Sequence, residues 1–245
     1  MKAISLMLVI LVAASAPLRS QNAYHEFGPS QLILPAVLIG AGAIGSQIDA
    51  VKELDFGLRP HHPHSHSGFV LEDAVQYAPI GALYALKMAG VKSAHNYADL
   101  TVLTAASYAI TASVTLLLKQ TTDELRPNGK DHDAFPSGHA AVSFMGAELL
   151  RLEYKDTAPW LGYAGYAAAA YTSMARLRHS EHWMHDLLAG AGVGILGTRA
   201  AYWICPPLQK RLFGKFAEKH KNGFAFAAMP IYNGSVKGAS LAMVF

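Results

Sequence analysis

The fold is decided by residues 119–139, which read KQTTDELRPNGKDHDAFPSGH and lie between two long apolar runs. Lys119 ends the run LTVLTAASYAITASVTLLL, so its ammonium group is predicted to emerge at the end of a helix. Arg126 follows on a loop, where its planar guanidinium suits a pair of phosphate oxygens. Pro127 stops any helix from running through. This stretch therefore predicts a cationic loop between two helices.

The end of the same stretch, Pro-Ser-Gly-His at residues 136–139, predicts the start of the next helix. Ser137 is a good N-cap, and Gly138 lets a ligand approach the backbone. The free N–H groups and the positive dipole end of a helix N-terminus favour an anion. His139, in the first turn, is placed to exchange a proton there. Together with the two cations, this helix start outlines a phosphate site.

Composition narrows the class of protein. The 245 residues suffice for one domain with its own core. The chain is 52% hydrophobic and 15% charged, with a mean hydropathy of +0.21, between the values typical of soluble and of membrane proteins. A net charge of +3 and the lack of a basic run with aromatics argue against nucleic-acid binding. The single cysteine, Cys205, excludes an intrachain disulfide and a cysteine-based zinc site.

Three segments are expected along the chain. Residues 1–20 have the pattern of a signal peptide or an N-terminal anchor, with Lys2 before an apolar run. Ala14-Ser15-Ala16 fits a cleavage site, although Pro17 should hinder cleavage there. Residues 24–204 form the predicted helical domain, and residues 205–245 a tail. Two β-like runs around Asn233-Gly234 predict a C-terminal hairpin, which either packs on the domain or docks to the outer membrane or a partner.

The fold class predicted for the main domain is all-α, because no convincing strand alternation precedes residue 222. The apolar segments are rich in small residues that permit close helix packing, and several are too short to cross a bilayer. The six core helices are expected at residues 31–51, 74–91, 100–118, 138–152, 160–175 and 187–204. Residues 51–73 are polar and irregular. Their four histidines, at positions 61, 62, 64 and 66, indicate a solvated loop or a weak zinc or copper site.

The stretch ARLRHSEHWMHDLLAGA, at residues 175–191, supplies what the first stretch lacks. His182 and Asp186 are four residues apart and share one face of a helix. The carboxylate is expected to accept the Nδ1–H of His182, which fixes the tautomer and leaves Nε2 free as a nucleophile. Arg176 adds a third cation. His185 is expected to point about 100° away from Asp186 and to have a packing or surface role.

Taken in order, these residues resemble the three-part signature of the type 2 phosphatidic acid phosphatase (PAP2) superfamily, and the bacterial lipid A phosphatase branch is a candidate within it. The parts are Lys119 with Arg126-Pro127, residues 136–139, and Arg176 with His182 and Asp186. The superfamily includes membrane lipid phosphatases, soluble bacterial class A acid phosphatases and vanadium haloperoxidases. One position departs from its pattern, because Ala175 stands where the family often has serine.

The resemblance implies a helical bundle and a role for each residue. His182 attacks phosphorus and forms a phosphohistidine, Asp186 supports it, and His139 protonates the leaving oxygen and then activates water. The phosphate oxygens are held by Lys119, Arg126, Ser137, Gly138 and Arg176. Three cations around a dianion make a metal or another cofactor unnecessary.

The expected function is removal of a phosphate group from a membrane lipid of the bacterial envelope, with the site facing the periplasm. Candidate substrates are lipid A (1- or 4′-phosphate), undecaprenyl pyrophosphate and phosphatidate-type lipids. The alternative is a soluble, non-specific periplasmic acid phosphatase. A haloperoxidase is disfavoured because the chain lacks a large surrounding scaffold, and a non-catalytic lipid binder because every charged signature position is present. Six crossings after a cleaved signal would place the site in the cytoplasm, so a membrane-associated domain with fewer crossings is expected.

Overall fold

The structure is a computed structural model that describes residues 28–57, 71–219, 225–233 and 236–244. Side chains are described for residues 28–53 and 73–205. The predicted signal segment and the four clustered histidines of residues 61–66 lie outside the described residues. The described helices begin with a short 3-10 turn, Pro29–Leu32, followed by α1 Ile33–Gly45, α2 Asp49–Gly57, α3 Leu71–Val75, α4 Ala78–Met88, α5 Tyr97–Thr122, α6 Gly138–Tyr154, α7 Trp160–Arg178 and α8 Met184–Lys219.

The mostly helical prediction is confirmed for the described part of the chain, and the long helices fall where the apolar runs are. Two short helices were not expected, because α2 and α3 lie in the stretch predicted to be irregular. In α2, Asp49 stands in the first turn, where a carboxylate is stabilised by the positive end of the helix dipole. The last helix also continues past the predicted end at residue 204, through Pro206 and Pro207.

The tail contains two nine-residue segments of extended backbone, β1 Ala225–Asn233 and β2 Val236–Val244. They pair antiparallel, with Ala225 opposite Val244 and Asn233 opposite Val236. The fold class rests on the helices alone, and the predicted packing of a hairpin tail on the helical domain stays a prediction.

Helix α8 is the centre of the bundle, because its glycines let three other helices approach its backbone. A Cβ atom at Gly194 would collide with the Ala141 carbonyl of α6, and one at Gly197 with the Thr111 side chain of α5. A Cβ atom at Gly192 would lie 2.7 Å from the Pro35 carbonyl oxygen of α1. Such short distances do not occur between real Cβ atoms and backbone, so side chains are excluded here. At these contacts the helix backbones approach each other directly, because small residues place no large side chain between them.

A buried carboxylate ties three helices together next to this contact. Glu148 of α6 is fully buried and accepts a hydrogen bond of 2.7 Å from Arg199 Nε of α8. It also accepts bonds from Arg151 Nε at 2.7 Å and from the hydroxyl of Tyr166 in α7. A buried charge is tolerated only when it is paired and hydrogen-bonded, as it is here. These bonds fix α6, α7 and α8 relative to one another.

The helix ends bring the polar signature residues to one end of the bundle. Asn96 caps α5 by accepting from the Asp99 N–H at 2.8 Å, and Lys119 lies in the last turn of that helix. The predicted N-cap at Ser137 is confirmed, since α6 begins at Gly138 and the Ser137 hydroxyl accepts from the Ala140 N–H.

Two helices in the described residues are long and apolar enough to cross a membrane, Tyr97–Thr122 and the part of α8 that ends at Cys205. The first is mostly exposed and carries outward-facing Leu116 and Leu117, whereas the second is mostly buried in the bundle. A buried core helix of a soluble protein passes the same test, so length and composition give weak support for membrane spans.

Candidate active site

Three cations converge between the end of α5, the loop after it and the end of α7. Lys119 Nζ donates to the Asp133 backbone carbonyl and lies 3.9 Å from the Asp133 carboxylate. Arg126 Nε donates to the same carboxylate at 2.7 Å. Asp133 is therefore the link between the first two cations, although its side chain is half exposed.

A second carboxylate joins Arg126 to Arg176. Glu181 Oε2 accepts from Arg126 Nη1 at 2.6 Å and lies 3.5 Å from Arg176 Nη2. Its side chain is 23% exposed, while that of Arg176 is 9% exposed. The Glu181 carboxylate thus lies between the two guanidinium groups and offsets their mutual repulsion. Asp133 and Glu181 keep the pKa of Arg126 above its usual range even though burial alone would lower it.

His182 is buried directly beside these cations. The ring is 2% exposed, and Nδ1 lies 2.9 Å from the Ala134 carbonyl oxygen. A carbonyl only accepts, so Nδ1 carries the proton and Nε2 has the lone pair. Burial, followed by the charges of the three cations, lowers the pKa of His182 well below its ordinary value. The ring is therefore neutral at physiological pH.

The predicted hydrogen bond from His182 to Asp186 is replaced by this backbone contact. Asp186 Oδ2 lies 3.5 Å from His182 Nδ1, which is long for a hydrogen bond, and instead accepts from the Trp183 N–H at 2.8 Å. The carboxylate thus caps the first turn of α8. The predicted consequence, a fixed tautomer with Nε2 free, still follows, but it comes mainly from Ala134.

His139, in the first turn of α6, has a partner that no signature position supplies. Its Nε2 lies 2.7 Å from Asp73 Oδ1, and Asp73 also lies 3.9 Å from Arg176 Nη1. Burial lowers the pKa of His139, as does the charge of Arg176, while the Asp73 carboxylate opposes both. Asp73 therefore connects the proton-exchanging histidine to the cation group.

The start of α6 lies against the start of α8. Ser137 is fully buried, and its N–H donates to the Asp186 carbonyl at 3.0 Å. Gly138 has free space where a Cβ would be, with the nearest atom, a Thr115 methyl, at 4.0 Å. At Gly190 a Cβ would lie 2.5 Å from the Ser137 carbonyl oxygen. The two helix starts are thus in direct backbone contact.

A second group of titratable side chains lies behind Asp186. His185 Nε2 is 2.9 Å from Glu124 Oε1 and 3.4 Å from Asp186 Oδ1, so the expectation that His185 points away from Asp186 is wrong. The ring turns back because it stacks on Trp183, with the centroids 6.2 Å apart. The ligand atoms of these three residues lie within 4.8 Å of one another, a spacing that suits a metal ion. However, Lys52 Nζ lies 3.3 Å from Glu124 Oε1 and already supplies a positive charge there.

All eight residues named from the sequence are brought to one end of the bundle, linked through shared partners. Four groups around them are not predicted by the sequence: Asp73, Glu124, Glu181 and the Ala134 carbonyl. Asp133 had been noted only as part of a loop that either contacts the substrate or is simply exposed. Trp183, for which packing against the site or contact with lipid was open, is 9% exposed and donates through Nε1 to the Leu125 carbonyl at 2.9 Å.

Comparisons of sequence and structure find similar known proteins. Residues 99–210 match the model of the PAP2 superfamily, the family that the signature residues resemble. Over 158 residues it is 33% identical to the Lipid A 1-phosphatase of Porphyromonas gingivalis, an alignment that covers 64% of this chain but only 34% of that protein. The crystal structure of Aquifex aeolicus LpxE is also similar, with a TM-score of 0.45, 16% identity and coverage of 61% of this chain and 92% of the other.

Proposed function

We propose that the helical domain of residues 24–204 is a phosphatase that removes a phosphate group from a membrane lipid of the bacterial envelope. The observation that carries this proposal is the neutral, buried His182 ring with a free Nε2, set beside three cations that suit a phosphate dianion. Phosphoryl transfer needs little from a protein beyond an aligned nucleophile and matched charge, and both are provided by this group.

In the first step, His182 Nε2 attacks phosphorus and the bond from phosphorus to the lipid oxygen breaks. His139 gives its proton to that leaving oxygen, and the phosphate stays on His182. Lys119, Arg126 and Arg176 hold the non-bridging oxygens and take over contacts that Asp133, Glu181 and Asp73 make with them. The free N–H groups at the start of α6, beside Ser137 and Gly138, add donors for the developing charge.

In the second step, His139 accepts a proton from water, the water oxygen attacks phosphorus, and the bond to His182 Nε2 breaks. Inorganic phosphate leaves, and both histidines return to their starting forms. Asp73 accepts from His139 Nε2 at 2.7 Å, so its carboxylate favours the protonated ring that begins and ends each cycle. No step of this cycle requires a metal.

The substrate class is proposed from the relative and from the exposed apolar surface. The similar curated protein is named a Lipid A 1-phosphatase, and lipid A 1-phosphate is therefore the first candidate. Exposed leucines on α5, near the end that carries Lys119, would place the cations close to a lipid headgroup. Undecaprenyl pyrophosphate and phosphatidate remain the other substrates to compare, with the site facing the periplasm.

The test is phosphate release by the detergent-purified protein from lipid A, undecaprenyl pyrophosphate, phosphatidate and p-nitrophenyl phosphate. A lipid should be turned over fastest, and His182→Ala should reduce turnover by about 10³-fold or more because it removes the nucleophile. Vanadate should inhibit and a chelator should not. Thermal unfolding of both proteins controls for loss of the fold.

Two outcomes would contradict the proposal. Preference for p-nitrophenyl phosphate over every lipid would favour a non-specific acid phosphatase. Turnover by His182→Ala at the wild-type rate would remove the phosphohistidine.

A further inference from the structure

The proposed reaction gives no role to His185 and Glu124, although both lie in the group of titratable side chains behind Asp186. His185 is 1% exposed, and its Nε2–H donates to the Glu124 carboxylate at 2.9 Å. The other nitrogen, Nδ1, is buried without a hydrogen-bond partner among the described residues. A proton on Nδ1 would be buried without an acceptor, so Nε2 is the nitrogen that donates in this setting.

The Nε2–H of His185 lies between two carboxylates. Asp186 Oδ1, at 3.4 Å, is fully buried and has no hydrogen-bond partner among the described residues, so this N–H is the donor nearest to it. The other oxygen of Asp186 faces the Trp183 N–H and His182 Nδ1. Asp186 therefore stands between two histidine rings, one on each carboxylate oxygen.

The group is held from several sides. Gly45 of α1 is packed against His185, since a Cβ there would lie 3.0 Å from the His185 Cβ. The Phe135 ring lies on the loop side, with centroids 6.3 Å apart. From α2, Lys52 reaches Glu124 at 3.3 Å and the Trp183 ring at 5.8 Å. The His185 ring thus has little freedom to turn.

The charges that face His185 are those of Lys52, Glu124 and Asp186. Burial would raise the pKa of Glu124, but the hydrogen bond from His185 and the nearby Lys52 lower it overall, so Glu124 is ionised. Burial raises the pKa of Asp186 to about 7, and the neighbouring His185 and the Trp183 N–H oppose this rise, so the ionised form of Asp186 depends on these contacts. The ionised Asp186 is stabilised further when the His182 ring becomes cationic, as it does when Nε2 bonds to phosphorus while Nδ1 keeps its proton.

We propose that His185 and Glu124 are positioning residues that hold the Asp186 carboxylate ionised and oriented behind His182, and so stabilise the cationic ring of the phosphohistidine. This inference rests on the proposed function. Neither residue touches the substrate, and their effect is exerted through Asp186. They should therefore change the rate of the chemical step and leave substrate binding almost unchanged.

The experiment compares kcat and KM of the detergent-purified wild type with those of His185→Leu, His185→Gln and Glu124→Gln. His185→Leu should lower kcat by about 10- to 100-fold with KM within about twofold, as expected when a supporting hydrogen-bond partner is lost. His185→Gln keeps an N–H donor and should recover most of the rate. The matched control is Glu53→Gln, an exposed carboxylate one residue from Lys52, which should not change kcat.

The double variant tests whether Glu124 affects Asp186 only through His185. His185→Leu combined with Glu124→Gln should be no slower than His185→Leu alone, because Glu124 acts only through the ring that is removed. If His185→Leu does not fold, Glu124→Gln and His185→Gln carry the test, and the measured effect should then fall on kcat rather than on KM.

Three results would overturn the inference. Unchanged kcat in the variants would show that the group is structural, as would equal losses for His185→Leu and His185→Gln. Loss of wild-type activity in a chelator, restored by Zn²⁺, would make the group a metal site instead. Each assay is run with both a lipid and p-nitrophenyl phosphate. A wild type inactive on both overturns the proposed function and this inference together, whereas an active wild type isolates the role of His185.

Discussion

At the residue scale, the proposed chemistry depends on two histidines whose pKa values are lowered by their surroundings. Burial and three cations lower the pKa of His182 far below its ordinary value of 6.5. Burial and Arg176 also lower the pKa of His139, but Asp73 limits the effect. His182 therefore loses its proton at a lower pH than His139 does. Between the two transitions, one ring is a free nucleophile while the other is still an acid.

This order predicts a bell-shaped dependence of kcat/KM on pH, with the optimum below about pH 6.5. The rate rises as His182 loses its proton and falls, by about tenfold per pH unit at the limit, as His139 loses its own. Asp73→Asn should move the alkaline limb to lower pH, because the carboxylate that favours the protonated His139 ring is gone. Steady-state kinetics from pH 4 to pH 9 measure both limbs. An optimum above pH 7 would contradict the assignment.

Residue types that bind phosphate could be found from the sequence, but their partners could not. Lys119, Arg126 and His182 were visible because charge and spacing alone mark them. The Ala134 carbonyl has no residue type to mark it, since every residue has one. Asp73 lies 66 residues from His139, and only the packing of α3 brings it within reach. Such contacts depend on tertiary structure that spacing does not encode.

At the scale of elements, the glycine contacts of α8 predict a position where one methyl group matters. Gly194→Ala would press a Cβ against Ala141 and 2.8 Å from the Met145 nitrogen, and should destabilise the fold by about 1–3 kcal/mol. Gly81→Ala in α4 meets nothing within 4 Å and should be neutral or stabilising by up to about 1 kcal/mol. Thermal unfolding in detergent measures both. Equal unfolding temperatures for the two variants would show that α6 and α8 can move apart at little cost in the free energy of unfolding.

Helix existence was predictable from the sequence, whereas helix ends were predicted only where a cap is marked. Ser137 before Gly138 gave the start of α6 correctly. For α5 the predicted start is residue 100, but the helix begins three residues earlier, at Tyr97, with Asn96 as its N-cap. Apolar periodicity does not detect polar capping residues, so the start of α5 was predicted too late in the sequence. The short helix α2 was missed because its pattern is brief and flanked by polar sequence.

At the scale of the whole molecule, the exposed apolar side chains of α5 and the α1 helix predict tight membrane association. Leu116 and Leu117 are 58% and 62% exposed, and Ile33 of α1 is 61% exposed. Large exposed apolar side chains of this kind are typical of a membrane or partner contact. The full chain should stay in the membrane fraction after an alkaline carbonate wash. The double substitution Leu116→Glu with Leu117→Glu should release a measurable share of it.

The control is a substitution of an exposed residue that is not part of the apolar surface. Lys130→Glu, on the polar loop between the first two signature parts, should not change the distribution between fractions. Release of the unaltered protein by the wash would favour the soluble acid phosphatase instead.

The backbone contact between the starts of α6 and α8 has a consequence for how this protein can diversify. Because the Ser137 N–H is hydrogen-bonded to the Asp186 carbonyl and Gly190 leaves no gap, His139 and His182 belong to one rigid block. Residues 128–132 lie outside that block, and Asp133 and Ala134 join them to it through Arg126 and His182. Recognition of a new headgroup can therefore be acquired by exchanging a short loop, while the reaction geometry is inherited intact.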